Sequence, residues 1–430
     1  MTIALLLVTF LLLLFLGVPV AFALGVPTAL YFFLQGGFFP IEVMAHGMTT
    51  PLFNYVLVAL PAFLLSGRIM NSTGVTDRLF DAAIALVGRF RGGLAYANVL
   101  SSMLFASMSG TAVGDAGGLG QVNMAMMTKA KYRKDFSAGV TAAASILGPI
   151  IPPSVAMVIL GASAEISIGR LFLAGIIPGF IMTLALMGNI TIRAHLTAEG
   201  KTWPMEKVPF KKAVSDCARS FLPMLCPVII IGSITLGVVT PTEAAILAID
   251  YALLLGIFYR KMTWKSLWKT LEETVVTTGV FMYIIAIAGF FTWVITREGL
   301  PMAIRDLLAP IIAYSPTAGL LLLAGFMLIV GCFLDTTAAI LLIAPVIMPI
   351  IRVMGIDVVH FGIVMVVSLL IGIITPPFGI CLFVLSDVAE LPVRSVTKEA
   401  IRYIPAMVLV VLIVIFFPQI VVWIPNLVFG

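Results

Sequence analysis

Long apolar runs separated by short polar loops set the character of this chain. A helix needs roughly 20 predominantly apolar residues to cross the hydrocarbon core of a bilayer. Stretches of that kind lie at about 3–34, 52–70, 171–192, 220–239, 242–259, 274–295 and 403–428, and they predict spanning helices. Two further stretches, about 137–164 and 360–388, are long enough to span but are broken in the middle. The first break reads Gly148-Pro149-Ile150-Ile151-Pro152-Pro153-Ser154 and the second Gly372-Ile373-Ile374-Thr375-Pro376-Pro377-Phe378. Proline lacks the amide donor and disrupts the preceding turn. Carbonyls around Gly148–Ile151 and Gly372–Thr375 therefore lose their helical partners. Hydrocarbon cannot satisfy them, so each break must line a cavity or be buried in protein.

Each break follows a stretch with a small or polar centre. Residues 92–128 lie between the basic segments Arg89–Arg91 and Lys129–Asp135 and carry Ser109-Gly110-Thr111-Ala112 at their middle. If both flanks share one side of the membrane, the stretch enters and returns as a re-entrant hairpin. Two full spans satisfy the same charges, but they need a turn outside the membrane, and this tip lacks the polar residues such turns carry. The hairpin is the preferred reading. Residues 316–352 repeat the pattern around Leu334-Asp335-Thr336-Thr337-Ala338, with flanking charges that cancel: Arg297 and Arg305 against Glu298 and Asp306, Arg352 against Asp357. One architecture with opposite loop charge predicts an inverted repeat whose breaks and tips converge on a binding site. Smaller echoes fix the alignment: Gly74 with Gly299, Ala164-Glu165-Ile166 with Ala389-Glu390-Leu391, Ile177-Pro178 with Ile404-Pro405. The predicted organisation is an N-terminal spanning helix and periplasmic interfacial segment (1–51), a first repeat (52–192), a cytoplasmic loop with connecting helices (193–273), and a second repeat with the C-terminal spanning helix (274–430).

Composition narrows the class. The chain is 61% hydrophobic and 10% charged, against about 25% charged in soluble domains, which makes it an all-α polytopic membrane protein. Its net charge of +5 sits in the loops 129–135, 193–219 and 260–273. That is the positive-inside pattern of cytoplasmic loops rather than a nucleic-acid surface. Threading from these loops places the N-terminus in the cytoplasm and the C-terminus in the periplasm. Residues 387–402 should then be cytoplasmic, yet their charges sum to zero. The apolar N-terminal run is too long for a signal peptide and lacks a basic leader, so it is expected to be retained. Four dispersed cysteines and three dispersed histidines show no transition-metal spacing and no catalytic constellation, so no enzyme is expected.

The chemistry lies in the tips and breaks. Freed carbonyls beside a hydroxyl suit a small hard cation such as sodium. Half-helix N-termini after Pro153 and Pro377 suit a carboxylate. Asp115 and Asp335 fall at membrane depth, where a carboxylate is costly. Asp335 abuts a tip and is expected to organise it or the ion path. Asp115, in a glycine-rich limb, is either a functional carboxylate or a hydrogen-bonding group at a close helix contact. Glu243, after Thr240-Pro241-Thr242, reads as a helix cap, and Arg68 and Asp250 read as interfacial.

At these residues the chain resembles the large membrane subunit of tripartite ATP-independent periplasmic (TRAP) transporters, dicarboxylate type. The resemblance covers essentially the whole length. It rests on Phe15-Leu16-Gly17-Val18-Pro19-Val20-Ala21-Phe22-Ala23-Leu24-Gly25, the Ser109-Gly110-Thr111-Ala112 tip, Ile150-Ile151-Pro152-Pro153-Ser154, Thr240-Pro241-Thr242-Glu243-Ala244-Ala245, Phe333-Leu334-Asp335 and Ile374-Thr375-Pro376-Pro377. It implies sodium-driven import of an organic acid by an elevator-type movement. A soluble periplasmic protein would deliver the acid, and a small four-helix membrane subunit, here a separate chain, would brace the large one. By the same resemblance one sodium site involves Ser109, Gly148, Ile151 and Pro153, and the other Gly331, Gly372, Thr375 and Phe378. Substrate contacts are expected from Ser109, Gly110, Thr111, Ser154, Asp335, Thr336, Thr337, Pro376 and Gly379. A C4-dicarboxylate, sialic acid or another carboxylate or sulfonate would suit such a site. The competing reading is an autonomous sodium–dicarboxylate symporter without a binding protein.

Overall fold

The computed structural model describes residues 2–34, 41–206 and 208–430, and among them every regular element is a helix. Among the described residues seven helices are long and apolar enough to cross a bilayer. The chain opens with α1 (Thr2–Phe15), α2 (Val20–Leu34) and α3 (Ile41–Thr49). The first repeat comprises α4 (Ala59–Ser72), α5 (Val75–Val87), α6 (Gly93–Ser109), α7 (Ala112–Gly117), α8 (Leu119–Lys129), α9 (Lys134–Ser145), α10 (Val155–Ala164) and α11 (Ile168–Leu196). Two connecting helices follow, α12 (Phe210–Thr235) and α13 (Pro241–Phe258). The second repeat comprises α14 (Trp264–Arg297), α15 (Leu300–Tyr314), α16 (Pro316–Gly331), α17 (Thr336–Val353), α18 (Val358–Gly372), α19 (Ile380–Ala389), α20 (Val393–Ala400), α21 (Ile404–Phe416) and α22 (Gln419–Phe429).

The two series correspond element by element. α5 and α15 each start from a glycine in the left-handed region, Gly74 (φ 72°) and Gly299 (φ 75°), a conformation glycine adopts without a Cβ penalty. Each helical hairpin precedes a helix broken at the Pro-Pro sequence. The half-helices beyond the breaks, α10 and α19, both have 10 residues. Both end on a glutamate with positive φ, Glu165 and Glu390. The repeats interlock: α10 packs on α17, and α19 packs on α7 and α9.

Four local expectations change. The run 3–34 is not one spanning helix. Gly17, at φ 77°, and Pro19 break it, and α2 folds back on α1 so that Leu5 and Leu6 lie beside Leu30, Tyr31 and Leu34. The return limb of the first hairpin is split between α7 and α8 at Gly118. α14 begins at Trp264, so its first turns carry the basic segment assigned to a loop. The C-terminal run is interrupted between α21 and α22. Of the predicted interfacial segment, residues 36–40 lie outside the described residues.

Contacts sort the loops onto two faces. Arg133, Arg193 and Arg402 all pair with Glu399, at 3.7, 2.9 and 3.0 Å, and the Glu206 amide donates to the Gly88 carbonyl at 2.9 Å. The loops at 133 and 193 thus meet the segment 387–402 on one face. On the opposite face Arg352 donates to the Ala164 carbonyl at 2.5 Å, Arg170 to Asn426, and Tyr31 to Glu298 at 2.6 Å. α1 and α2 form a hairpin, with Leu5 and Leu6 beside Leu30 and Leu34.

Candidate functional site

The first tip and the first break fold against each other. α6 ends at Ser109, Gly110 takes φ 66°, and Thr111 is the N-cap residue of α7. The Val155 amide, first in α10, donates to the Gly110 carbonyl at 3.1 Å. Within the break the carbonyls of Gly148 and Pro149 would bond to amides four residues on, but those positions are Pro152 and Pro153. Pro149 recovers a donor, the Ser154 hydroxyl at 2.6 Å. Among the described residues the Gly148 carbonyl has no backbone partner.

Asp115 completes this cluster. Ser109 donates its hydroxyl to Oδ1, whereas Oδ2 is buried with no partner. A Cβ added at Gly148 would stand 2.5 Å from that Oδ2 and 3.1 Å from the Thr111 carbonyl. A buried carboxylate oxygen, a hydroxyl and a backbone carbonyl therefore gather beside Gly148. A buried charge is costly unless it is paired or coordinates a metal, and this donor set is all oxygen, as a hard cation requires. Asp115 thus makes one hydrogen bond, from Ser109, and keeps a second oxygen unpartnered.

The second tip and break pack more tightly. A Cβ on Gly372 would meet Gly331 and stand 2.7 Å from the Cys332 amide nitrogen. The freed Gly372 carbonyl accepts the Thr375 amide at 2.8 Å, and the Ile373 carbonyl accepts the Cys381 amide at 3.2 Å. The Thr375 hydroxyl donates to the Ile371 carbonyl at 2.7 Å, and the rings of Phe333 and Phe378 lie 5.8 Å apart. Gly331, Gly372, Thr375 and Phe378 are thus brought together around the second tip. Asp335 caps α17, its Oδ2 accepting the Thr337 amide at 3.0 Å, so this carboxylate organises the tip.

A cavity of about 420 Å³ joins the two tips. Ser109, Gly110, Thr111, Asp335, Thr336 and Thr337 line it, facing Gly67, Arg68 and Asn71 of α4 and Thr277 of α14. Three expected substrate contacts fall outside it. Ser154 is buried and caps α10 through the Met157 amide at 3.2 Å, so its hydroxyl is spent on the backbone. Pro376 and Gly379 lie in the second break and are not lining residues, although Ile380, next to Gly379, is. Conversely, Arg68 is not merely interfacial: it enters the cavity wall, a position visible only once α4 is packed against the tips. Glu243 caps α13 in a reciprocal capping box with Thr240, as the Thr-Pro-Thr-Glu spacing predicts.

The whole-chain comparisons agree with this architecture. The chain is 39% identical over 420 residues to the sialic acid TRAP transporter large permease SiaM of Vibrio cholerae, covering 97% of each. It is 39% identical over 374 residues to the C4-dicarboxylate TRAP transporter large permease DctM of Pseudomonas aeruginosa, covering 87% of each. Among solved structures it matches the Alcanivorax borkumensis YdaH transporter at TM-score 0.63 over 88% of each chain; at 15% identity this shows the fold alone. The relatives are permeases, not enzymes. The model of the tripartite ATP-independent periplasmic transporter DctM component matches residues 7–420, and the chain belongs to that family, the large membrane subunits of TRAP transporters.

Proposed function

We propose that this chain is the translocating subunit of a sodium-coupled importer of an organic acid, a sialic acid or C4-dicarboxylate class of substrate. The observation that carries the coupling is the partnerless buried oxygen of Asp115 beside Gly148. Sodium bound there would neutralise Asp115 and draw the first tip onto the break. Gly331, Gly372, Thr375 and Phe378 are assigned to a second sodium on the repeat relationship. The acid would lie in the cavity between the tips, near the N-terminus of α17, whose dipole favours an anion.

Movement is proposed as an elevator. The hairpins and broken helices, interlocked across the repeats, move as one unit along the wall formed by α4 and α14. The basic face is taken as cytoplasmic, so the cavity at Arg68 and Thr277 lies on the cytoplasmic side of that wall. By family membership a soluble periplasmic binding protein delivers the acid and a small membrane subunit braces the wall in the bacterial inner membrane. That membership also disfavours an autonomous symporter. In proteoliposomes holding all three components, labelled acid should accumulate under an inward sodium gradient. Equal accumulation with potassium in place of sodium would refute the coupling.

A further inference from the structure

We propose that Arg68 binds the carboxylate of the acid while it lies between the tips, and that Glu273 is the competing counter-ion that takes Arg68 back on release. The proposal rests on the transport reading above and adds a residue of the stationary wall to it. Among the described residues lining the cavity, Arg68 is the sole cation, and it faces a wall that carries Asp335. An acid entering between Asp335 and the Ser109–Asp115 cluster needs a positive partner, and no other side chain there supplies one.

The pairing of Arg68 is suited to exchange. Nη1 lies 3.0 Å from Glu273 Oε2, and Nη2 donates to the Thr277 hydroxyl at 2.7 Å. Neither residue of the pair is enclosed by the chain, with side-chain exposures of 32% and 50%, so the pair is open to exchange. Compare Glu399, 2% exposed and shared by three arginines, which reads as a permanent tie. A guanidinium prefers a two-pronged carboxylate contact, and Arg68 makes only one prong to Glu273. An arriving carboxylate can take the fork, while Thr277 keeps it oriented. Because Arg68 is on α4 and not on the tips, this contact exists only at the position the tips now occupy. It would favour docking there, and Glu273 would keep the acid from being held.

The test measures occupancy of the inner site. Proteoliposomes with the complete three-component complex are loaded with increasing sialic acid or succinate, whichever the wild type accumulates. The initial uptake of labelled acid is read at a fixed sodium gradient. Arg68→Gln should raise the internal concentration that halves uptake by roughly 10-fold. Arg68→Lys, keeping charge without the fork, should raise it by roughly 3-fold. Glu273→Gln, which frees Arg68, should lower it. A purely structural tie between α4 and α14 predicts slower uptake in both Arg68→Gln and Glu273→Gln with no opposite shifts, and that result would overturn the proposal. If Arg68→Gln fails to insert, Glu273→Gln decides alone, and no fall in the half-inhibiting concentration overturns it. A wild type without sodium-dependent uptake of either acid would instead defeat the transport reading itself.

Discussion

The Ser109 hydroxyl donates to one oxygen of Asp115 and leaves the other buried beside Gly148 without a donor. A neutral amide in its place supplies no charge to a cation and offers an N–H where an acceptor is wanted. Asp115→Asn should therefore raise the sodium concentration for half-maximal uptake by at least roughly 10-fold. An unchanged sodium dependence, in variant protein that inserts normally, would remove Asp115 from the site.

Gly148→Ala should act on the same cluster by sterics. The new methyl would sit 2.5 Å from Asp115 Oδ2, so the carboxylate or the break must move. Gly372→Ala meets backbone at Gly331 and Cys332, which cannot swing aside. Overpacking of this kind costs about 1–3 kcal/mol. Thermal unfolding in detergent should drop for both, and sodium should raise the melting temperature of the wild type more than that of either variant.

Gly67 is where the α4 wall meets the first tip: a Cβ there would stand 2.6 Å from the Met108 carbonyl. If the tips dock on this wall during transport, Gly67→Ala should slow uptake by roughly 5-fold or more while sodium still stabilises the protein. That magnitude corresponds to about 1 kcal/mol of strain in the docked position. Uptake at the wild-type rate would argue against docking at Gly67.

The cluster around Glu399 should set stability rather than transport specificity. Removing one partner of a buried ion pair costs about 3–5 kcal/mol, and Arg193, 10% exposed, would be left without its counter-ion. Glu399→Gln should lower the melting temperature clearly. Asp135, beside it, adds a pH dependence. Burial pushes its pKa up, but the Arg133 hydrogen bond and the Phe136 amide outweigh burial and hold it below the usual value. Its contribution is complete at neutral pH and is lost as pH falls through its folded pKa. Stability should decline in acid, less so in Asp135→Asn.

Much of this site is legible in the sequence because it is written in backbone chemistry. Pro152, Pro153, Pro376 and Pro377 remove donors at fixed positions, and Gly110 and Asp335 mark the tips, so the breaks and hairpins follow without tertiary knowledge. Gly17 and Pro19 carry the same kind of signal, but an unbroken apolar run hides it, since hydropathy cannot distinguish one long span from two short helices packed together. Residues 387–402 have no net charge, and only the contacts of Glu399 place them. Arg68 and Asp115 depend on which helices meet: one gains its role from the α4 wall facing the tips, the other from Gly148 approaching it. The Ser154 hydroxyl turns inward because a freed carbonyl, that of Pro149, lies within its reach.

The central claim is that the cation at the first tip moves with the acid. The direct measurement is simultaneous entry of radiolabelled sodium and labelled acid into proteoliposomes holding the complete complex. Sodium and acid should enter in a fixed ratio, and both fluxes should fall together in Asp115→Asn. Acid accumulating without accompanying sodium, or at the same rate in Asp115→Asn as in the wild type, would contradict it.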